Sequence, residues 1–497
     1  MSKHIPSRKY SRIAQTMAYL GTRGYTIPKE QLSLADQDRI RRELSVAPAA
    51  TGMSFARPSP YPVFREATSR FYLPRFYGQK TFGPFTKPSK LKVAEKLETT
   101  FKGKLRDDQQ VVANQALDAL RNVGGGLLEL HCGYGKTVVA LYIAAAIGLK
   151  TAVLVHKEFL MTQWAERIEM FLPGVRIGKI QAQTCDMEDK DIVMVMIQSL
   201  ATKDYPMDLF SGIGLVIVDE CHHMSAEVFS NALFKAVTPH MLGLSATMTR
   251  KDGLSRVFKM FLGDVVAKRA RQGEIKTCVE ILRYTNDDEE FNETVLGFNG
   301  QISFSSMLSK LSSCEHRLDF IAKRVERLVN EENRAQVMVL THYRAMISAL
   351  SDRFLKYKIE HGYYVGGMKQ ADLDNSAKKR VVLGTFAMAE EGLDIKTLDT
   401  LVLATSKSDV VQAVGRVQRS PDVTPLIVDI VDPHPCFKRQ HAKRLTFYRK
   451  SKFEIDGTTT EPKPRRKAIA AKKEQAKSKK GQSSGKCMIS SAEEDWA

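Results

Sequence analysis

Short, almost wholly apolar runs recur along this chain at intervals that leave room for a helix between them. No other feature constrains the fold as strongly. A first series covers residues 127–130, 152–155, 192–196, 215–218 and 241–244; a second covers 337–340, 381–383, 400–403 and 426–430. Runs of three to five apolar residues without polar alternation suit strands buried on both faces, and such strands belong to parallel sheets covered by helices. The stretches between them, such as 138–147, carry apolar patterns that suit helices. The expected fold class is α/β, with two tandem parallel-sheet domains over 96–270 and 271–455.

The flanks differ in character. Residues 1–95 hold nine of the eighteen prolines and many aromatics, and are expected to form a small accessory domain of short strands and turns with one helix across 32–44. Arg65, Arg70, Arg75 and Lys80 lie among these aromatics. That pattern serves either a small packed core, the favoured reading, or a surface that stacks and clamps nucleic acid. Residues 456–497 form a basic, low-complexity tail, expected to be disordered.

Composition removes several function classes. No apolar run approaches the ~20 residues of a membrane span, and the first ten residues lack the apolar core of a secretory signal. An intracellular protein is expected, with no membrane partner. The seven cysteines are scattered and never spaced C-x-x-C, which argues against a disulfide framework and a zinc ribbon. Cys221-His222-His223 are adjacent residues, which rarely converge on one ion, and the motif around them explains them better than a metal site does. The net charge of +19, only +5 of it from residues 457–497, is the footprint of a polyanion binder.

Chemistry-bearing residues stand at the ends of the apolar runs. Cys132, Gly133, Tyr134, Gly135, Lys136 and Thr137 separate a strand run from a helical stretch. The glycines let backbone N–H groups turn inward around a phosphate, Lys136 adds a point charge, and Thr137 offers a hydroxyl to Mg²⁺. Leu130 stands where the full pattern has its first glycine. The run 216–218 ends in Asp219-Glu220, suited to holding Mg²⁺ through water and polarising the attacking water. The 83 residues from Lys136 to Asp219 suggest adjacent strands. Ser245 and Thr247 follow the next run and are expected to hydrogen-bond these carboxylates. In the second series Gly384-Thr385 ends a strand. Gln412, Gly415, Arg416 and Arg419 then open a short helix with two arginines on one face, suited to reaching a triphosphate.

In this order the motifs resemble those of superfamily 2 helicases and translocases, over roughly 105–435. The matching branch includes the TFIIH repair and transcription helicase, phage recombination helicases and the poxvirus transcript-release helicase. The residues that carry the resemblance are Leu105-Arg106-x-x-Gln109, the Gly-Tyr-Gly-Lys-Thr loop, Val153-Leu-Val-His-Lys157, Gln163-Trp164 and Gln198-Ser199-Leu200. Asp-Glu-Cys-His, Ser-Ala-Thr, Gly392-Leu393-Asp394 and Gln-x-x-Gly-Arg-x-x-Arg complete them. Arg250-Lys251-Asp252 resembles a charged triplet of the TFIIH-type helicase, with Lys where that motif has an acid.

The resemblance implies two RecA-like domains, ATP and Mg²⁺ as cofactors, and a nucleic-acid partner, DNA favoured over RNA. It implies that Gln109 reads adenine, that Lys136 and Thr137 hold phosphates and Mg²⁺, and that Asp219 and Glu220 act in metal binding and catalysis. Asp394 would lie near the ribose, with Gln412, Arg416 and Arg419 completing the ATP site. Lys157, Gln198, Ser199, Thr341, Gly367 and Thr385 would lie near a nucleic-acid backbone. Tyr25-Thr-Ile-Pro28, Pro60-Tyr-Pro-Val-Phe64 and Pro74-Arg-Phe-Tyr-Gly78 resemble helicases of large double-stranded DNA viruses. The setting would then be viral transcription, replication or repair, in host cytoplasm, virion or nucleus. An RNA helicase and a nucleic-acid-binding scaffold with little ATPase activity are the alternatives.

Overall fold

A computed structural model of the chain describes residues 17–48, 59–131, 133–221, 225–248, 254–270, 276–298, 300–391, 395, 397–418 and 423–459. The chain divides into two compact units, Met1–Glu274 and Ile275–Ala497.

The first unit opens with β1 (Tyr19–Gly21), β2 (Gly24–Pro28), α1 (Leu34–Glu43), β3 (Ser45–Val46), β4 (Tyr61–Pro62), β5 (Arg65–Glu66), β6 (Arg70–Leu73) and α2 (Arg75–Phe82). Helix α1 starts where Ser33 accepts the Asp36 N–H, within the expected 32–44. Strands β1-β2-β6-β5 form an antiparallel sheet, and β3 pairs with β4. One face of the sheet buries Tyr25, Ile27, Phe71 and Leu73 with Ile40 and Phe82. Of the four cations noted in this stretch, Arg75 is internal. Its guanidinium donates to the carbonyls of Val123 (3.1 Å), Gly124 (3.3 Å) and Pro239 (2.7 Å), and burial pulls its pKa down to about 10. It thus fastens α2 to the parallel sheet that follows.

That sheet comprises α3 (Asp107–Val123), β7 (Gly125–Leu130), α4 (Lys136–Ile147), β8 (Thr151–Val155), α5 (Glu158–Phe171), β9 (Ile177–Gln181), β10 (Thr184–Asp186), β11 (Ile192–Met196), α6 (Ile197–Thr202), β12 (Leu215–Val218), α7 (Ala226–Leu233), β13 (His240–Ser245), α8 (Ser255–Leu262) and β14 (Val265–Arg269). Strand order is β10-β9-β11-β8-β12-β13-β7-β14, parallel except for β10. Every run of the first series is a strand, and β11 and β12 have the expected bounds. One core lies on each face. The spacing of Lys136 and Asp219 suggested adjacent strands; instead β13 lies between β7 and β12. Chain order does not dictate strand order when crossovers skip a position.

The second unit contains β15 (Cys278–Arg283), β16 (Val337–Thr341), β17 (His361–Tyr364), β18 (Val381–Thr385), β19 (Thr400–Leu403), β20 (Leu426–Val431) and β21 (Glu454–Thr459), in the parallel order β17-β18-β16-β19-β20-β15-β21. The four runs of the second series are β16, β18, β19 and β20, four of the five interior strands; the fifth, β15, has no run in the series. Strand β21 carries order four residues into the segment expected as tail; the rest of that segment lies outside the described residues. Two charge pairs lie fully buried here, Arg317 with Asp432 (2.6 Å) and Arg444 with Asp429 (2.7 Å). Among the described residues no helix is long and apolar enough to cross a membrane.

Candidate functional site

Ligands of open parallel sheets gather beyond the carboxyl ends of the strands, and the chemistry-bearing residues of the first unit lie there. Strand β7 runs into the loop that ends at α4, whose cap, Gly135, has φ +92°. A Cβ there would stand 2.6 Å from the Gln109 amide nitrogen, so only glycine lets the loop approach that side chain. Gly133, at φ +80°, is exposed and has nothing within 4 Å of its Cβ position, so its backbone conformation rather than crowding favours glycine there.

Gln109 fixes the loop from behind. Its Oε1 accepts the Arg106 N–H (3.1 Å), and its Nε2 donates to the Tyr134 carbonyl (2.8 Å), which Arg106 also reaches (2.9 Å). The Tyr134 hydroxyl donates to the Asp108 carbonyl, and burial pushes its pKa up to about 12. Tyr134 is therefore a buried strut between loop and α3, while Gly133 and Gly135 shape the loop.

Across β13, strand β12 delivers Asp219 and Glu220. The Lys136 ammonium lies 2.7 Å from Glu220 Oε1, both side chains largely shielded. Glu220 has φ +45°, a left-handed conformation costly for a residue with a Cβ and found most often at functional sites. Asp219 is buried. Its Oδ1 accepts the Glu220 N–H (3.0 Å), and its Oδ2 accepts the indole N–H of Trp164 (2.9 Å). Burial, and then the charge of Glu220, push the Asp219 carboxyl above the usual carboxylate range; Lys136 and the hydrogen bonds from Trp164 and the Glu220 N–H act the other way. Thr137 is half-buried on the first turn of α4. Ser245 Oγ accepts the Thr247 N–H at the end of β13.

The remaining residues singled out by sequence fall into two groups in the described structure. In the first unit Lys157 caps α5 and Gln198 Nε2 donates to the His156 carbonyl (2.9 Å), so both stand at the carboxyl ends of neighbouring strands β8 and β11. Ser199 accepts the Ala182 N–H. In the second unit Thr341 pairs in register with Thr385 at the ends of β16 and β18, and Gly367 follows β17 at φ +82°. Thr341 is fully buried and spends its hydroxyl on the Tyr343 carbonyl, so Tyr343, 36% exposed, forms the surface there. Gln412 and Arg416 lie four apart, half-buried, on the helix Val411–Val417. Cys132, Asp394, Arg419 and the Arg250-Lys251-Asp252 triplet lie outside the described residues. Sequence reasoning noted Trp164 only as part of a motif and missed its bond to Asp219; an aromatic in a core-facing helix gives no sign of where its N–H points.

Residues 102–250 match the family described as "Type III restriction enzyme, res subunit", and residues 321–421 match "Helicase conserved C-terminal domain". A protein of Acanthamoeba polyphaga mimivirus named "Putative ATP-dependent RNA helicase" is 30% identical over 447 residues, covering 87% of this chain and 85% of the relative. This chain belongs to the superfamily 2 helicases. It is an ATP-dependent helicase, built on two RecA-like domains, with relatives in several large DNA viruses. A "Putative helicase" of Invertebrate iridescent virus 6 is 28% identical over 384 residues, covering 71% of this chain and 83% of that protein. A "Putative ATP-dependent RNA helicase" of African swine fever virus is 23% identical over 397 residues, covering 74% and 77%. The solved structure of T4 UvsW matches over 85% of this chain and 95% of its own, at 18% identity and a TM-score of 0.33.

Proposed function

We propose that this helicase is a DNA-stimulated motor whose ATP site is built on the loop 132–137 and the pair Asp219-Glu220. The observation that carries this reading is the convergence of the Lys136 ammonium and the Glu220 carboxylate at 2.7 Å, beside buried Asp219 and the start of α4. An ammonium at a helix N-terminus suits phosphates, and the carboxylate beside it suits a water in line with them.

The donors fit magnesium. Thr137 and Asp219 offer oxygen, and no cluster of three or more His, Cys, Asp or Glu able to hold a metal occurs among the described residues. Such a site suits a cation that keeps water and phosphate oxygens as ligands. When bound, Mg²⁺ would neutralise charge on the β- and γ-phosphates. Lys136 would leave Glu220 for the phosphates, and Glu220 would orient water and accept its proton. Gln109 would hold the loop and read adenine. Arg416 and Gln412, with Arg419 and Asp394, would complete the site from the second domain, closing only on the triphosphate.

Lys157, Gln198, Ser199, Gly367 and Thr385 would lie along a strand backbone; amides, hydroxyls and a lysine grip phosphates without reading sequence. The Asp-Glu-x-His motif and the TFIIH-like form of the phosphate loop 132–137 favour DNA. The second reading, RNA, is favoured by the names of the mimivirus and African swine fever virus relatives. Steady-state ATPase with single-stranded DNA, duplex DNA or RNA, beside Lys136→Ala, decides between them. DNA-stimulated hydrolysis that disappears in Lys136→Ala is the expected result. Stimulation by RNA alone overturns the DNA preference, and hydrolysis at the Lys136→Ala background with every polymer overturns the motor.

A further inference from the structure

Trp164 lies within α5 with its side chain 1% exposed, in the core with Val155, Leu160, Met161 and Ile168. An indole has one donor and no acceptor, and here that donor is directed at Asp219 Oδ2, 2.9 Å away. The other carboxylate oxygen accepts the Glu220 N–H at 3.0 Å. Each oxygen therefore has a donor fixing its direction. One donor belongs to the chain next to Asp219; the other arrives on a helix 55 residues away.

The far end of that helix is the second observation. Helix α5 is capped by Lys157, and the His156 carbonyl accepts Gln198 Nε2 at 2.9 Å, so the start of α5 and the start of α6 are tied together. Lys157 and Gln198 are among the residues proposed above to grip the strand. Trp164 follows Lys157 by seven residues, about 10 Å along one helix. A push on the β8–α5 junction is carried along α5 to the indole N–H, and a hydrogen bond to a charged group is directional enough to transmit it.

The geometry points to Trp164 as the positioning residue that couples nucleic acid at the His156–Lys157 junction to the orientation of the Asp219 carboxylate. The inference rests on the reading of Asp219 as the group that holds Mg²⁺. Packing alone would ask only for a large aromatic at this position, and phenylalanine would serve it. The coupling needs the N–H.

The chain has two tryptophans, Trp164 and Trp496, so Trp496→Phe leaves Trp164 as the only indole. In the full-length Trp496→Phe chain, Trp164 emission is followed while Mg²⁺ with a non-hydrolysable ATP analogue is added, and separately while single-stranded DNA or RNA is added. Both additions are expected to change the emission. In parallel, Trp164→Phe is expected to cut the ratio of polymer-stimulated to basal kcat about tenfold, the scale of one lost charged hydrogen bond. The Mg²⁺ concentration for half-maximal activity should rise, with KM for ATP moving less than twofold.

A stimulation ratio and Mg²⁺ requirement within twofold of wild type in folded Trp164→Phe would overturn the coupling. Should that variant unfold, emission decides alone, and an emission that does not change on adding polymer overturns it. Wild-type hydrolysis equal to that of Lys136→Ala overturns the motor reading and this inference together. Strong wild-type stimulation that Trp164→Phe retains overturns this inference only.

Discussion

Glu220→Gln separates the two roles proposed above for this carboxylate. In the structure Glu220 Oε1 is the partner of the Lys136 ammonium at 2.7 Å, so a phosphate that takes the lysine must compete with it. A hydrogen bond between charged groups contributes about 1.5–3 kcal/mol when partly shielded, and each 1.4 kcal/mol is about tenfold in affinity. Glutamine still accepts from Lys136 but without the charge, so roughly half of that competition is lost. ATP affinity is expected to rise by about three- to tenfold. Hydrolysis moves the other way: a neutral amide cannot take the proton of the attacking water, and general-base catalysis contributes about 10²–10⁴-fold. Glutamine accepts the left-handed backbone at φ +45° no better and no worse than glutamate, so strain does not confound the comparison. Equilibrium binding of a fluorescent nucleotide gives the first quantity, and polymer-stimulated steady-state hydrolysis gives the second. A kcat within tenfold of wild type, or weaker nucleotide binding, would refute the reasoning, because it assigns opposite signs to one substitution.

Two other expectations concern stability. Arg75→Ala removes the buried guanidinium that donates to the carbonyls of Val123, Gly124 and Pro239 and should cost about 2–4 kcal/mol in denaturant unfolding; a loss under 1 kcal/mol would show that α2 is not fastened this way. In the second unit, burial and the nearby Lys407 push His342 down to about 4. Between pH 6.5 and 4 the unfolded chain takes up a proton that the folded ring refuses, so the contribution is full above the unfolded pKa and shrinks as pH falls. The loss should reach about 1–2 kcal/mol by pH 5. Urea unfolding at pH 7, 6 and 5 should show it, and His342→Asn should remove that part of the slope.

Legibility of the fold follows burial. Interior strands such as β11 and β12 are apolar at every position because helices cover both faces, and their limits can be read from the chain. Several strands at or near the sheet edges cannot be read in this way. In β9, Ile-Gly-Lys-Ile-Gln buries alternate residues only, and β17, His-Gly-Tyr-Tyr, does the same. Four or five half-polar residues look like a loop until a neighbour supplies their hydrogen bonds. The candidate site was legible where its residues stand in consecutive stretches at strand ends. Contacts that depend on strand order were not: Lys136 with Glu220, Trp164 with Asp219, Arg75 with the carbonyl of Pro239. They join residues 55–164 positions apart, and no spacing rule encodes which strand lies between.

The strand between is what gives the site its width. Adjacent strands stand about 4.8 Å apart, so a loop and an acid pair on neighbouring strands would be separated by little more than one hydrogen-bonded spacing. With β13 interposed, the ends of β7 and β12 are two spacings apart, roughly 10 Å. Lys136, on the first turn of α4, and Glu220, at a left-handed position beyond β12, meet at 2.7 Å although their strands are not neighbours. On the proposed reading, a phosphate enters by parting those two side chains, and the gap that opens is wide enough for the phosphate, its cation and a water. On that reading, the strand that sequence spacing did not anticipate between β7 and β12 supplies the room into which the two side chains would part.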